Sequence, residues 1–371
     1  MRIGVMLRDI GDQTDAPGII VLNLMDELLK LDRYNEYILF YRNASFIDRY
    51  TQYSNVKARL VKSKSKILWD QWAIPHAVRR EKIDLLFHPK HSIPLLVKCK
   101  TIMHLRGPEY WINPQYYEWY DLLYQKIALQ LFSRKANHLI AESEYAKSEF
   151  QKYLKIPDNK ISVCYLAASP RFRLVDNKVI LNSIREKYRL PEKYVLTVTR
   201  VLQGNKQYDG KNIKRMLQAF EEAEIDSNIH FVIVGRQTKS FVEGYVKNKS
   251  FLDRLHVLDF VKQQDLPSIY NQAELFLFPS INESFGIPIV EAMHCGCPVI
   301  TSNDTACQEI SGNASFLVNP SSVNDIKFAL ERLLHNEQLR NTYRKKGLKR
   351  SIAFDWSLSA KKTLQTINSL V

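Results

Sequence analysis

Five short apolar runs, at residues 194–199, 230–235, 255–260, 274–279 and 297–302, alternate with helical patterns at 212–223, 266–272 and 287–295. No other feature constrains the fold as tightly. Strands that are apolar at successive positions are covered on both faces, and strand–helix alternation joins them in parallel. Right-handed crossovers then place helices on both sides of the sheet. The first half repeats the order less clearly. An apolar run at 3–7 leads to a polar loop ending at Pro17-Gly18, after which Ile20, Leu24, Leu28 and Leu31 recur at helical spacing. Strand-like runs follow at 36–41, 83–87 and 101–104, then a helical region from about 116 to 134, a strand at 139–141 and a helix capped by Ser143. The chain therefore reads as two doubly wound α/β units, and its 371 residues suffice for two cores. Ser169-Pro170 breaks the pattern between them, and beyond about Asn319 the chain reads as helix to its end.

Charge and cysteine usage narrow the class. The formal charge is +14, and residues 51–100 alone hold 11 basic and 3 acidic side chains. So local a surplus is either a solvated basic face or a surface for phosphates, anionic lipid or nucleic acid. Cys99, Cys164, Cys295, Cys297 and Cys307 form no zinc-type spacing, and their odd number fits a reducing compartment. The first residues reach a charge too early for a signal-peptide core, and no apolar stretch is long enough to span a bilayer. The expected location is cytoplasmic, with attachment to the inner membrane face left open.

The segment from Leu275 to Ser302 carries the chemistry. It reads as a buried strand, a short loop, a helix opened by Gly286 and Pro288, a stop at Gly296 and a second buried strand. Gly286 lets backbone approach a ligand at the helix start, where N–H groups and the helix dipole attract an anion. Glu283 precedes that start, and Glu291 lies about one turn inside it. Carboxylates make poor phosphate ligands but good acceptors for hydroxyls. The arrangement suits a phosphorylated, hydroxyl-rich ligand. The bland alternative makes Glu283 a helix cap and Glu291 a surface or salt-bridged residue.

The stretch Glu283-Ser284-Phe285-Gly286-Ile287-Pro288, with Glu291-Ala292-Met293 and Gly296-Cys297-Pro298-Val299, closely resembles the E-x7-E signature of retaining GT-B glycosyltransferases, and more narrowly their family 4. The likeness runs over nearly the whole chain. Thr197-Val198-Thr199-Arg200 with Lys211-Asn212 resembles the loop whose Arg and Lys hold the donor diphosphate, while Gln308-Glu309-Ile310 and Ala353-Phe354-Asp355-Trp356 fall where the family has its later motifs. His104 resembles a strand-end histidine that faces the donor sugar. Three departures stand out. Asp15-Ala16-Pro17-Gly18 replaces paired glycines, Leu105-Arg106 follows His104 where an aspartate is common, and the longer loop at 201–210 makes Lys206 a rival to Lys211.

The resemblance implies two Rossmann-like domains facing across a cleft: an acceptor-binding domain at 1–170, a nucleotide-sugar-binding domain at 171–352 and a helix at 353–371 crossing back to the first domain. It implies a retaining hexosyl transfer, mannose first, from a GDP- or UDP-linked donor to a saccharide or lipid-linked acceptor in cell-surface glycan synthesis. Glu283, His104, Arg200 and Lys211 are the expected catalytic residues. Lys206, Ser284, Phe285, Gly286, Ile287 and Glu291 complete donor binding, and Gly18 with Arg106 meet the acceptor. With no D-x-D pair, neither metal nor cofactor is expected, and the cations with the helix start take the metal's place. An inactive nucleotide-sugar sensor shares every one of these features except turnover. Nucleic acid is not an expected partner, since no recognition motif accompanies the charge, and no G-x-G-x-x-G supports a dehydrogenase. Trp69, Trp72, Trp111, Tyr116, Tyr117, Trp119, Tyr120 and Tyr124 lie near the basic run, a mixture that suits sugar stacking, an anionic membrane surface or ordinary core and helix packing.

Overall fold

A computed structural model of the protein describes residues 1–8, 10, 16–199 and 210–370. The chain divides into two compact units, Met1–Leu166 with Trp356–Val371, and Ala167–Asp355.

The first unit is built on seven parallel strands: β1 (Arg2–Leu7), β2 (Glu36–Tyr41), β3 (Val56–Leu60), β4 (Leu85–His88), β5 (Lys100–His104), β6 (His138–Ala141) and β7 (Ile161–Val163). Their order is β3-β2-β1-β4-β5-β6-β7, so the direction of winding reverses between β1 and β4. Register assigns the side chains to faces. Gly4 lies opposite Ile38 and Leu86, Met6 opposite Phe40, His88 opposite Met103, and Met103 opposite Leu139. Met6, Ile38, Phe40 and Leu86 pack with Ile74, Ala77 and Val78 of the Ile74–Arg80 helix. Met103 and Leu139 pack with Ala128, Leu129 and Phe132 of the Trp119–Lys135 helix. Both helices therefore cover one face, as right-handed crossovers from β3 to β4 and from β5 to β6 require. The helix Ala16–Leu31 crosses the other way, from β1 to β2, and packs against the last helix, Trp356–Asn368. That last helix is tied down by Cys164, whose thiol donates to the Ser359 carbonyl at 3.1 Å, and by the Ser359 hydroxyl on the Tyr165 carbonyl.

The second unit holds β8 (Lys193–Val198), β9 (Ile229–Val234), β10 (Leu255–Leu258), β11 (Leu275–Phe278), β12 (Val299–Ser302) and β13 (Phe316–Val318). They form a parallel sheet in the order β10-β9-β8-β11-β12-β13. All four side chains of β11 are buried, which is why it reads as an unbroken apolar run. Winding reverses here between β8 and β11.

Three strands escaped the sequence reading: β3, β7 and β13. Each lies at a sheet edge, and β3 (Val-Lys-Ala-Arg-Leu) has no buried residue. An edge strand needs no continuous apolar run, so its signal is weak, and β13 is only three residues long. A second difference concerns Gly18, which sits in the first turn of the Ala16–Leu31 helix rather than closing a loop. Proline belongs in a helical first turn, so Pro17 continues into the helix instead of stopping it. Among the described residues no helix is long and apolar enough to cross a membrane.

Candidate active site

Doubly wound sheets bind ligands outside the carboxyl ends of the strands, where the winding reverses. In the second unit that point lies between the ends of β8 and β11. The chain leaves β8 at Thr199, whose buried hydroxyl has no hydrogen-bond partner among the described residues. Arg200 and Lys206 lie outside the described residues. The chain returns at Gly210, and the loop after β11 is fastened to it. The Ile281 amide donates to the Gly210 carbonyl at 2.9 Å, and the Ser280 hydroxyl donates to the same oxygen at 2.7 Å.

Asn212 completes the fastening. Fully buried, it takes a left-handed conformation (φ 61°) that asparagine tolerates better than most residues. Its amide nitrogen donates to the Pro279 carbonyl at 2.9 Å and to the Pro320 carbonyl at 2.6 Å. One side chain thus holds the loops after β11 and β13 against the start of the Ile213–Glu222 helix.

On this frame the Lys211 ammonium meets the Glu283 carboxylate in a close ion pair, and the Ser280 hydroxyl lies 3.0 Å from the same carboxylate oxygen, sharing its one proton between that oxygen and the Gly210 carbonyl. The lysine also lies 5.3 Å from the Phe278 ring centroid. Glu283 is not the helix cap of the bland reading. Gly286 holds that position, at φ 89°, and has no side chain with which to cap the helix. A β-carbon there would come within 3.0 Å of Ile289, on top of the strain of a left-handed backbone. Phe285 is buried edge-on to Phe354, with ring centroids 5.7 Å apart, which anchors the turn between Glu283 and Gly286. Ser284 and Ile287 are half-buried on either side.

Glu291 is reached from the neighbouring Leu266–Gln272 helix. The Tyr270 hydroxyl donates to it at 3.2 Å, a partner that spacing does not reveal. Burial pushes the Glu291 carboxyl up to about 7 from an ordinary 4.5, and the tyrosine bond offsets that only in part. The folded protein then keeps a proton that the unfolded chain releases. This contribution to stability is complete below pH 4.5 and fades as pH rises to about 7. Glu291→Gln should flatten the fall over that window, which for the wild type amounts to roughly 2–3 kcal/mol. Urea melts at a series of pH values measure it; equal slopes for both proteins would remove Glu291 as the cause.

Two more residues at this edge carried no sequence signal. Asn282 is buried with neither amide atom bonded among the described residues, and the buried Thr305 hydroxyl has at most the weak Cys307 thiol for a partner. Thr305 has φ 58°, uncommon for a β-branched side chain, and the amide after it donates to the Glu283 carbonyl at 3.3 Å. Polar groups that find no protein partner when buried are unusual, and here they gather at a strand-end edge.

The first unit has its own polar edge at the ends of β1, β4, β5 and β6. Arg8 pairs with the buried Asp70, which accepts a 2.9 Å bond from the Ser92 hydroxyl. Ser92 also bonds His88 at the end of β4. None of these four was singled out from sequence, because they come from separate crossovers. His104, at the end of β5, is buried with no partner on Nε2. Burial, then the charges of Arg106 and His91, hold its pKa well below the usual 6.5, so the ring is neutral at pH 7. Arg106 donates to the Pro89 carbonyl at 3.2 Å and lies 4.0 Å from Glu142. Gly18 lies buried in the first turn after β1. Thus Lys211, Glu283 and Gly286 meet at one edge in the second unit, and His104 and Arg106 lie at the strand ends of the first.

The family model described as Glycosyl transferases group 1 matches residues 183–350, and that of Glycosyltransferase Family 4 matches residues 19–170. Serotype-specific mannosyltransferase WbdA of Escherichia coli is 28% identical over 273 residues, covering 71% of this chain and 32% of its own length. The chain thus spans about a third of that relative. O-antigen chain mannosyltransferase B of Escherichia coli is 26% identical over 366 residues, 92% of each chain. Among solved structures, Anabaena Alr3699/HepE in complex with UDP and glucose superposes with a TM-score of 0.74 at 17% identity, covering all of both chains.

Proposed function

Since this chain belongs to the group 1, family 4 glycosyltransferases of GT-B fold, we propose that it transfers a hexose, mannose first among candidates, from a nucleoside-diphosphate sugar to a saccharide or lipid-linked acceptor in cell-surface glycan synthesis. The donor is GDP- or UDP-linked. Support for mannose comes from the mannosyltransferase relatives, and support for a UDP donor from the UDP and glucose held by the structural relative.

The observation that carries this reading is the Lys211–Glu283 pair beside the Gly286 helix start, at the switch point of the second sheet. Transfer breaks the bond from the anomeric carbon to the diphosphate oxygen. The nucleoside diphosphate leaves with the electron pair, and the acceptor hydroxyl loses its proton as the new glycosidic bond forms. Negative charge grows on the leaving group, so fixed cations and N–H dipoles lower the barrier. Lys211, Arg200 and the amides near Gly286 and Ile287 would serve there, with Lys206 an alternative cation. Glu283 would accept bonds from sugar hydroxyls and Glu291 from the ribose. Because an ionised Glu291 accepts hydroxyl bonds more strongly than its protonated form, nucleotide affinity should rise as pH passes about 7. The roles of His104 towards the donor sugar and of Gly18 and Arg106 towards the acceptor rest on the family resemblance. The charge of residues 51–100 fits a protein that works at the inner face of the cytoplasmic membrane.

A calorimetric titration with UDP, GDP, ADP and their sugars in EDTA tests the donor site. One nucleotide should bind without added metal, and Arg200→Ala should weaken it at least about tenfold through loss of a bidentate phosphate contact. Failure of all three nucleotides to bind would sink the metal-free donor site.

A further inference from the structure

The helix Trp119–Lys135 is apolar on both sides. Ala128, Leu129 and Phe132 face the sheet, yet Trp119, Tyr120, Leu123, Tyr124, Ile127 and Leu131 are all exposed. At 3.6 residues per turn these six fall within an arc of about 140° and span about 18 Å of the helix. Arg134 and Lys135 close the basic end of the arc, whereas the acidic Glu118 and Asp121 fall outside it.

The same side of the sheet carries a second patch. The crossover from β3 to β4 exposes Ile67, Leu68 and Trp72, the last at 74%. Leu68 and Trp72 border a shallow groove of about 590 Å³ that is rimmed by Lys62, His76 and Arg80. Lys64 and Arg79 are exposed nearby. The segment around Leu95 joins the two patches. Gln71 bonds the Ile93 carbonyl at 3.1 Å and the Leu95 amide at 3.0 Å, and Lys135 donates to the Val97 carbonyl at 2.9 Å. Leu96 projects between them, 69% exposed.

We propose that this face of the first unit, from Trp72 through Leu96 to the Trp119–Leu131 arc, docks on an anionic lipid bilayer. The composition selects lipid over another protein. Trp and Tyr place an apolar ring and a polar tip at the boundary between headgroup and acyl chain, and flanking Lys and Arg meet anionic headgroups. Trp119 and Trp72 would insert, while Arg134, Lys62 and Lys64 stay among the headgroups. The assignment sharpens the membrane-surface part of the reading above and is independent of the donor chemistry.

Flotation with vesicles of phosphatidylcholine, with and without phosphatidylglycerol, tests it. Wild-type protein should float with the anionic vesicles, shift its tryptophan emission to the blue and release in high salt. Trp119→Ser with Ile127→Ser should weaken partition about tenfold or more, and Lys62→Glu with Lys64→Glu should remove the preference for anionic vesicles. Both variants should melt and bind nucleotide as wild type does, because the altered side chains are exposed and outside the donor site. Wild-type protein that stays off anionic vesicles overturns the proposal, as does self-association in sedimentation that Trp119→Ser abolishes. Variants that float as well as wild type would keep a membrane contact but overturn this face as its seat. None of these results bears on the nucleotide titration, so the two readings fail separately.

Discussion

Glu283→Gln is expected to lower kcat by roughly 30- to 1000-fold while leaving the protein folded, equivalent to about 2–4 kcal/mol of transition-state stabilisation. The carboxylate already accepts from Lys211 and lies 3.0 Å from the Ser280 hydroxyl, so its position is set before any ligand arrives. A neutral amide of the same shape keeps the packing but loses the charge-assisted bonds to sugar hydroxyls that the proposed function assigns to Glu283. Effects on stability should be small, near 1 kcal/mol, since the pair retains some solvent contact at both ends. Steady-state kinetics with a matched thermal melt separate the two quantities. Turnover within a few-fold of wild type would move Glu283 out of the reaction and leave it as a partner for Lys211. If Lys211→Ala has an equal effect and the double variant adds little, the two act as a unit.

The largest expected loss of stability belongs to Asn212→Ala, at about 3–4 kcal/mol. Two buried carbonyls, of Pro279 and Pro320, would lose their donor, and each lost bond costs about 1–1.5 kcal/mol. Alanine in a left-handed conformation adds about 1 kcal/mol more. Asn212→Gly removes the bonds but not the backbone freedom, so stability should fall in the order Asn, Gly, Ala. Chemical denaturation reads that order directly. Equal stability of the glycine and alanine variants would show that the backbone term is absent. Because the loop after β11 carries Glu283, both variants should also bind donor less tightly.

Why such residues are hard to find in a sequence is plain from their separations. Lys211 and Glu283 are 72 positions apart, and Asn212 joins carbonyls 67 and 108 positions away. Each pairing exists because parallel strands bring their carboxyl ends together, which no local spacing records. Glu291 and Tyr270 meet only where two helices pack. By contrast, Gly286, Pro288 and Gly296 were legible because their roles are local. Gly286 and Gly296 take left-handed backbone, and Pro288 sits in a helical first turn.

Sequence alone determined the class of fold and the kind of chemistry. Strands such as β8 and β11 are buried on both faces, so apolarity without interruption betrays them, and the run from Glu283 to Glu291 is one continuous stretch whose spacing survives any packing. Tertiary structure alone decided which partners those residues meet and which surfaces remain open. It left β3 and β7 at the edges, where half-covered strands have no need of apolar runs, and kept β13 to three residues, too short for its pattern to stand out. It also decided which side of the Trp119–Lys135 helix meets solvent. That helix carries apolar side chains on its exposed side as well as its buried one, and periodicity can identify a buried side only when the other side is polar.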